Sequence, residues 1–161
     1  MIELESPEAV LFDFDGTLAP NLDLADMRRQ VVDLTIAAGV PEEIYTGLYI
    51  IEVIEAGAAW LDKNNTAQAT HYQHSANQRI LELELNAAAA TQVFPGVKNM
   101  LSQLRQRGIS IGIVTRNCRA AIEAVFPDRE QFVDAVHARD DVVHLKPCLL
   151  YTSPSPRDVE E

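Results

Sequence analysis

The feature that most constrains this chain is a short apolar run that ends in two aspartates and a glycine. Ala9 to Phe12 are residues of the strand-forming, buried kind, and they lead into Asp13-Phe14-Asp15-Gly16-Thr17-Leu18. The pattern predicts a β-strand that stops at a polar loop. Side chains at i and i+2 of a strand point the same way. Asp13 and Asp15 are therefore expected to converge on one small volume where the loop begins. Paired carboxylates repel unless a cation or a shared proton intervenes, and Mg²⁺ is a hard cation that takes oxygen ligands. The alternative is a pair of solvated turn aspartates ahead of a Gly-Thr turn.

Charge and hydropathy exclude several classes of function. With 13 basic against 24 acidic residues the net charge is −11, the wrong sign for a surface that grips phosphate backbones, so nucleic acid is not an expected partner. No run of about 18 apolar residues exists to cross a bilayer, and the N-terminus Met1-Ile2-Glu3-Leu4-Glu5 lacks the basic and apolar regions of a signal peptide. A cytoplasmic protein without membrane association is the expectation. Cys118 and Cys148 have no metal-ligand spacing and form no disulfide framework.

Beyond the first loop the chain reads as helical as far as residue 90. Leu24, Met27, Val31, Leu34 and Ala38 recur at helical spacing before Gly39. Pro41-Glu42-Glu43 starts a second helix that continues from Ile44 to Leu61, with an interruption expected near Gly57. Asn64-Asn65-Thr66 caps a third, Ala- and Leu-rich helix, on which His71 and His74 read as surface residues. A turn at Phe94-Pro95-Gly96-Val97 then precedes a helix from Val97 to Arg107, whose face carries Val97, Met100, Leu101 and Leu104 and which Gly108 closes. The run from Ile109 to Val114 has the continuous β-branched character of a strand buried in a parallel sheet. A helix over Cys118 to Val125 and a short strand around Phe132 to Val136 follow. Strand and helix alternate on either side of the all-helical block. The expected fold is α/β, a doubly wound parallel (Rossmann-like) sheet with its site at the carboxyl ends of the strands.

Asp13-Phe14-Asp15-Gly16-Thr17-Leu18 resembles the first motif of the haloacid dehalogenase (HAD) superfamily. The resemblance implies a Mg²⁺-dependent phosphatase that works through an aspartyl-phosphate. Asp13 would be the nucleophile and Asp15 the general acid and then base. Both would contribute to the Mg²⁺ site, with Gly16 and Thr17 in the phosphate-binding loop. Thr115, which ends its strand as Asp13 ends the first, resembles the second motif, and Arg116 and Asn117 beside it are either phosphate or substrate contacts or residues of a solvated turn. The stretch from His137 to Pro147 resembles the approach to the third motif, whose lysine answers to Lys146. A cation there would stabilise charge on the transferring phosphoryl group.

The helical block lies where the family carries an inserted cap. The implied division is an α/β core over 1–19 and 91–147 with a helical cap over 20–90. Phe94-Pro95-Gly96-Val97, the position of the cap and the Arg139-Asp140-Asp141 to Lys146-Pro147 stretch look most like the phosphoglycolate phosphatase group, which acts on a small phosphorylated metabolite. A β-phosphoglucomutase or a dehalogenase is the alternative within the fold, the latter disfavoured because Asp15 is retained.

The family's fourth motif, an acidic pair that completes the Mg²⁺ shell, has no counterpart after Lys146. Residues 148–158 resemble translated sequencing adaptor, and 148–161 read as a non-native tail. On that reading the sheet is incomplete at the C-terminus, turnover is impaired, and one sheet edge is exposed, open to homo-oligomerisation. A non-catalytic fragment or binding module is the competing class.

Overall fold

A computed structural model describes residue 5 and residues 7–141. Lys146 and the tail over 148–161 lie outside the described residues. The chain falls into two compact units, one formed by Leu22–Ala87 and the other by the residues up to Asn21 together with those from Ala88 onward.

The second of these units contains a parallel sheet of three strands in the order β1-β2-β3, with β1 at Ala9–Phe12, β2 at Ser110–Val114 and β3 at Ala135–His137. β1 pairs with β2 from Ala9 opposite Ser110 to Phe12 opposite Ile113. β2 pairs with β3 from Gly112 opposite Ala135 to Val114 opposite His137. Parallel strands require crossover connections, and helices supply them in this chain. Because all three strands run the same way, their carboxyl ends lie at one edge of the sheet. Among the described residues β1 has β2 as its single neighbour, and Leu11 on that strand is 51% exposed.

The core of this unit gathers Phe14, Leu18, Leu101, Ile111, Ile113 and Phe126, all 1% exposed or less. The helix from Val97 to Gln106 buries Val97 and Leu101, and the helix Arg119–Val125 buries Ala121, Ile122 and Val125. Met100, expected on the buried face of the first, is 38% exposed. The third strand begins at Ala135 rather than at Phe132, because a 3-10 turn over Arg129–Gln131 takes the chain past Phe132 and Val133 before it reaches the ladder.

Asp134 sets the start of the β2 pairing. Its Oδ2 accepts a hydrogen bond from the Ile111 amide at 2.7 Å, and its Oδ1 accepts one from Arg105 Nη1 at 2.9 Å. The Ile111 amide, with Arg105 assisting, holds this carboxyl below the usual carboxylate range. A depressed folded-state pKa contributes stability above the unfolded value, about 3.9, and that contribution is lost as pH falls through the folded value. Asp134→Asn is therefore expected to lower the thermal midpoint at pH 7, with the gap to the parent closing as pH falls below about 3.9. Melting curves at neutral and acid pH check this; a gap that stays constant across that range would show that the charge is irrelevant.

The other unit is helical throughout: α1 (Leu24–Ala37), α2 (Glu42–Tyr45), α3 (Ile50–Asp62) and α4, which runs from Thr66 to Ala89 and so just past the unit's end. The Asp23 side chain caps α1 by accepting from the Asp26 amide at 2.9 Å. Met27, Val31, Val53, Ile54, Tyr72 and Ile80 form its core, whereas Leu24 in the first turn is 54% exposed. The single helix expected over residues 41–61 is two. The break falls at Gly47, where φ is +77°, and the chain then extends through Tyr49 before α3 starts. Gly57, where the interruption was expected, lies inside α3. Its missing Cβ makes room for Tyr72, whose hydroxyl and ring would lie 2.8–3.0 Å from that atom. The Tyr72 hydroxyl shares a hydrogen bond of 2.8 Å with the buried Thr35 hydroxyl. His71 and His74 are exposed on α4. No described helix is long and apolar enough to cross a membrane.

Candidate active site

The first loop folds by local rules. Phe14 is fully buried, while Asp13 before it is exposed and Asp15 after it is half-buried. This is the alternation expected where a strand runs out. The Phe14 carbonyl accepts from the amides of Thr17, Leu18 and Ala19 at 3.1, 2.9 and 3.2 Å, and Gly16 N donates to Ala19 O at 2.7 Å. The turn closes tightly on itself. Gly16 has φ +77°, and a Cβ there would meet the Asn21 side chain at 2.6 Å. The left-handed backbone is what favours glycine here, since the exposed Asn21 side chain could swing aside. Thr17 is exposed at the rim. Asp13 Oδ1 accepts from the Phe14 amide at 2.9 Å.

The second loop follows β2 and is more deeply set. Thr115 is 3% exposed; its amide donates to His137 O at 3.0 Å, and its Oγ1 accepts from the Asn117 amide at 3.1 Å. Asn117 is 4% exposed, so it is a buried connector and not a solvated turn residue. Its Oδ1 accepts from the Cys118 amide at 2.8 Å, which leaves Nδ2 to donate to Asp15 Oδ1 at 3.3 Å. The parallel register thus joins residues 102 apart in the chain. Arg116 is half-buried, and its carbonyl accepts from Arg139.

A third segment, Arg139–Asp141, forms a 3-10 turn after β3 and ties itself to the second loop. Sequence reasoning used Arg139-Asp140-Asp141 only as the approach to Lys146. An Arg-Asp-Asp run is as typical of a solvated turn, so nothing in its spacing signals a tie. The Phe94 amide, in the turn that precedes the helix from Val97, donates to Leu18 O at 2.8 Å and so fastens that turn to the first loop.

The structure therefore brings Asp15, Thr115 and Asn117 together, with Asp13 two residues ahead of Asp15 in the chain, at the carboxyl ends of two adjacent parallel strands. This is where ligands bind in open α/β sheets. Buried hydrogen bonds hold the Thr115–Asn117 loop, and the side chain with most access to solvent is Asp13. In chemical terms the arrangement offers one accessible carboxylate, Asp13, and one carboxyl, Asp15, that accepts from the Asn117 side-chain amide. For Mg²⁺ the donors are of the right kind, the carboxylate oxygens of Asp13 and Asp15. No cluster of three or more acidic, His or Cys residues stands ready to hold an ion among the described residues. Mg²⁺ commonly takes only one or two carboxylates and fills its octahedron with water and phosphate oxygens, so the residues present fit it.

Known proteins share both the sequence and this fold. A phosphoglycolate phosphatase of Synechococcus elongatus is 30% identical over 120 residues, covering 73% of this chain and 53% of that protein. A haloacid dehalogenase-like hydrolase domain-containing protein of Arabidopsis thaliana is 30% identical over 125 residues, covering 77% of this chain and 46% of its own length. The chain thus spans about half the length of these curated relatives. A Bacteroides fragilis crystal structure assigned to the haloacid dehalogenase-like hydrolases superposes with a TM-score of 0.56 at 22% identity, covering 89% of this chain and 68% of that one. The haloacid dehalogenase-like hydrolase family model matches residues 7–161. With the two-aspartate loop and the parallel sheet behind it, that match makes this chain a member of the haloacid dehalogenase-like hydrolase family.

Proposed function

We propose that this chain is a Mg²⁺-dependent phosphomonoester hydrolase that acts on a small phosphorylated metabolite of the phosphoglycolate kind. The observation that carries the reading is the convergence of Asp15 and the buried Asn117 at 3.3 Å, beside an exposed Asp13 at the end of the same strand.

In the proposed reaction a carboxylate oxygen of Asp13 attacks phosphorus, and the bond from phosphorus to the ester oxygen breaks. Asp15 gives its proton to the departing oxygen. Asp15 then takes a proton from a water that attacks the aspartyl-phosphate, which releases phosphate and restores the Asp13 carboxylate. The Thr115 hydroxyl would donate to a phosphate oxygen, with Thr17 and Arg116 at the rim. Lys146, outside the described residues, is assigned the countercharge. Asp13 and Asp15 would hold Mg²⁺, which supplies charge neutralisation for the phosphoryl group when bound. The helical unit is proposed to act as a cap that sets substrate choice, a reading supported by its position in the chain between the first and second motifs. Retention of an acid-base carboxyl at Asp15 favours phosphoryl transfer over dehalogenation. The substrate class rests on the Synechococcus elongatus relative.

Hydrolysis of p-nitrophenyl phosphate and 2-phosphoglycolate, assayed with Mg²⁺ and again after chelation, tests the reading. Turnover is expected to fall about a hundredfold or more on chelation and to return with Mg²⁺. Activity indifferent to the chelator would remove the metal from the proposal, and hydrolysis of neither ester would remove the phosphatase.

A further inference from the structure

The tie between the second loop and the turn after β3 is denser than two neighbouring loops need. The Arg119 amide donates to Asp140 Oδ1 at 2.9 Å. Arg119 Nε donates to Asp141 Oδ1 at 3.0 Å, and its Nη2 reaches both Asp141 Oδ2 and Val136 O, the latter at 2.9 Å. Asp141 Oδ2 also accepts from the Ala138 amide at 2.9 Å. In return, Arg139 N donates to Asn117 O at 2.9 Å, and Arg139 Nη1 donates to Arg116 O at 2.9 Å.

These contacts form a chain of constraint that ends at Asp15. Arg119 and Asp141 meet in the two-point, fork-to-carboxylate geometry that fixes orientation as well as distance. That pair holds the 3-10 turn, the turn holds the Asn117 carbonyl through the Arg139 amide, and the Asn117 side chain donates to Asp15. Arg119 itself is 37% exposed and Asp141 27%, so the pair is worth little as a stability element. Its geometry matters more than its energy. The Asp141 carboxyl is held below the usual range by the Arg119 guanidinium, which keeps the pair charged at neutral pH.

We infer that Arg119 is a positioning residue: clamped on Asp141, it sets the Asn117 turn and through it the orientation of the Asp15 carboxyl for proton transfer. The inference rests on the proposed phosphatase chemistry for its kinetic part. Misplacing a reacting group by about an ångström costs up to about a hundredfold in rate, whereas a decorative ion pair costs nothing of the kind.

The test compares the full chain with Arg119→Ala, Arg119→Lys and Asp141→Asn, using p-nitrophenyl phosphate turnover and amide hydrogen exchange read at Asn117 and Arg139. In Arg119→Ala, kcat is expected to fall about ten- to a hundredfold with KM changed far less. Exchange at the Arg139 amide, which the Arg119 side chain does not itself contact but whose turn it holds through Asp141, is expected to rise. Lysine restores the charge without the fork, so Arg119→Lys should recover only a minor part of kcat. Asp141→Asn removes the pairing charge at nearly constant volume and should reproduce the kinetic loss if Arg119→Ala proves poorly folded. Unchanged kcat in both Arg119→Ala and Asp141→Asn, or full recovery with lysine, would overturn the inference. So would unchanged Arg139 exchange, whatever the activity. A parent chain that turns over no phosphate ester would instead overturn the phosphatase reading, and the kinetic role of Arg119 with it.

Discussion

Asp13→Asn is expected to reduce phosphate-ester turnover by about 10⁴-fold or more while the protein stays folded. The size follows from the proposed role. An amide oxygen cannot form the covalent intermediate that divides the displacement into two easier steps, and losing a nucleophile removes nearly all the catalysis that depends on it. The fold should tolerate the change, because Asp13 is exposed and beyond the last β1–β2 pair, and an asparagine Oδ1 can still accept from the Phe14 amide. The thermal midpoint should therefore stay within about 2 °C of the parent. Rapid acid quench of a reaction with labelled substrate should trap label on the parent and none on the variant. A variant that retains a tenth of parental turnover would exclude Asp13 as the nucleophile.

The second large effect is structural. Phe14→Ala should destabilise the protein by about 3–5 kcal/mol, the usual cost of emptying a large aromatic site, against a total stability of about 5–15 kcal/mol for a domain. Phe14 is fully buried in the core cluster, and its carbonyl organises the loop by accepting three amides. Because it stands between Asp13 and Asp15, the cavity would loosen the site as well as the core. Urea denaturation would read the stability, and turnover the site. Phe14→Leu refills much of the volume and should recover most of both. A Phe14→Ala variant with parental stability would mean that the loop, not the ring, anchors this corner of the fold.

Phe14 also shows why this part of the molecule was legible from residues alone. An apolar strand, two alternating carboxylates and a glycine are local signals, and each obeys short-range steric rules. The turn glycines followed the same logic: Gly39 and Gly108, read as helix stops, have φ of +84° and +76°. The two glycines of the second helical run did not sort themselves so simply. Nothing local distinguishes Gly47, where the backbone breaks, from Gly57, which accommodates Tyr72 within an unbroken helix. That distinction depends on a side chain fifteen residues away in sequence (72 − 57).

Asn117 marks the other boundary of what the residues alone convey. In sequence it is one polar residue of a turn, with solvation and substrate contact equally open. Its burial to 4% and its contact with Asp15 follow from the register that places Phe12 opposite Ile113. The ladder then delivers both loops to the same edge. The tie of Arg119 to Asp140 and Asp141 depends in the same way on the pairing of Val114 with His137.

By itself the sequence determined where the chain could bend, which faces could be buried, and that a pair of carboxylates would end a buried strand. Those properties reside in single residues and in their 2.0 and 3.6 periodicities. Only the tertiary structure decided which polar side chains would meet across the strand ends. Hydrogen bonds such as Asn117 to Asp15 join segments 102 residues apart, and no local propensity encodes a contact that parallel pairing alone creates.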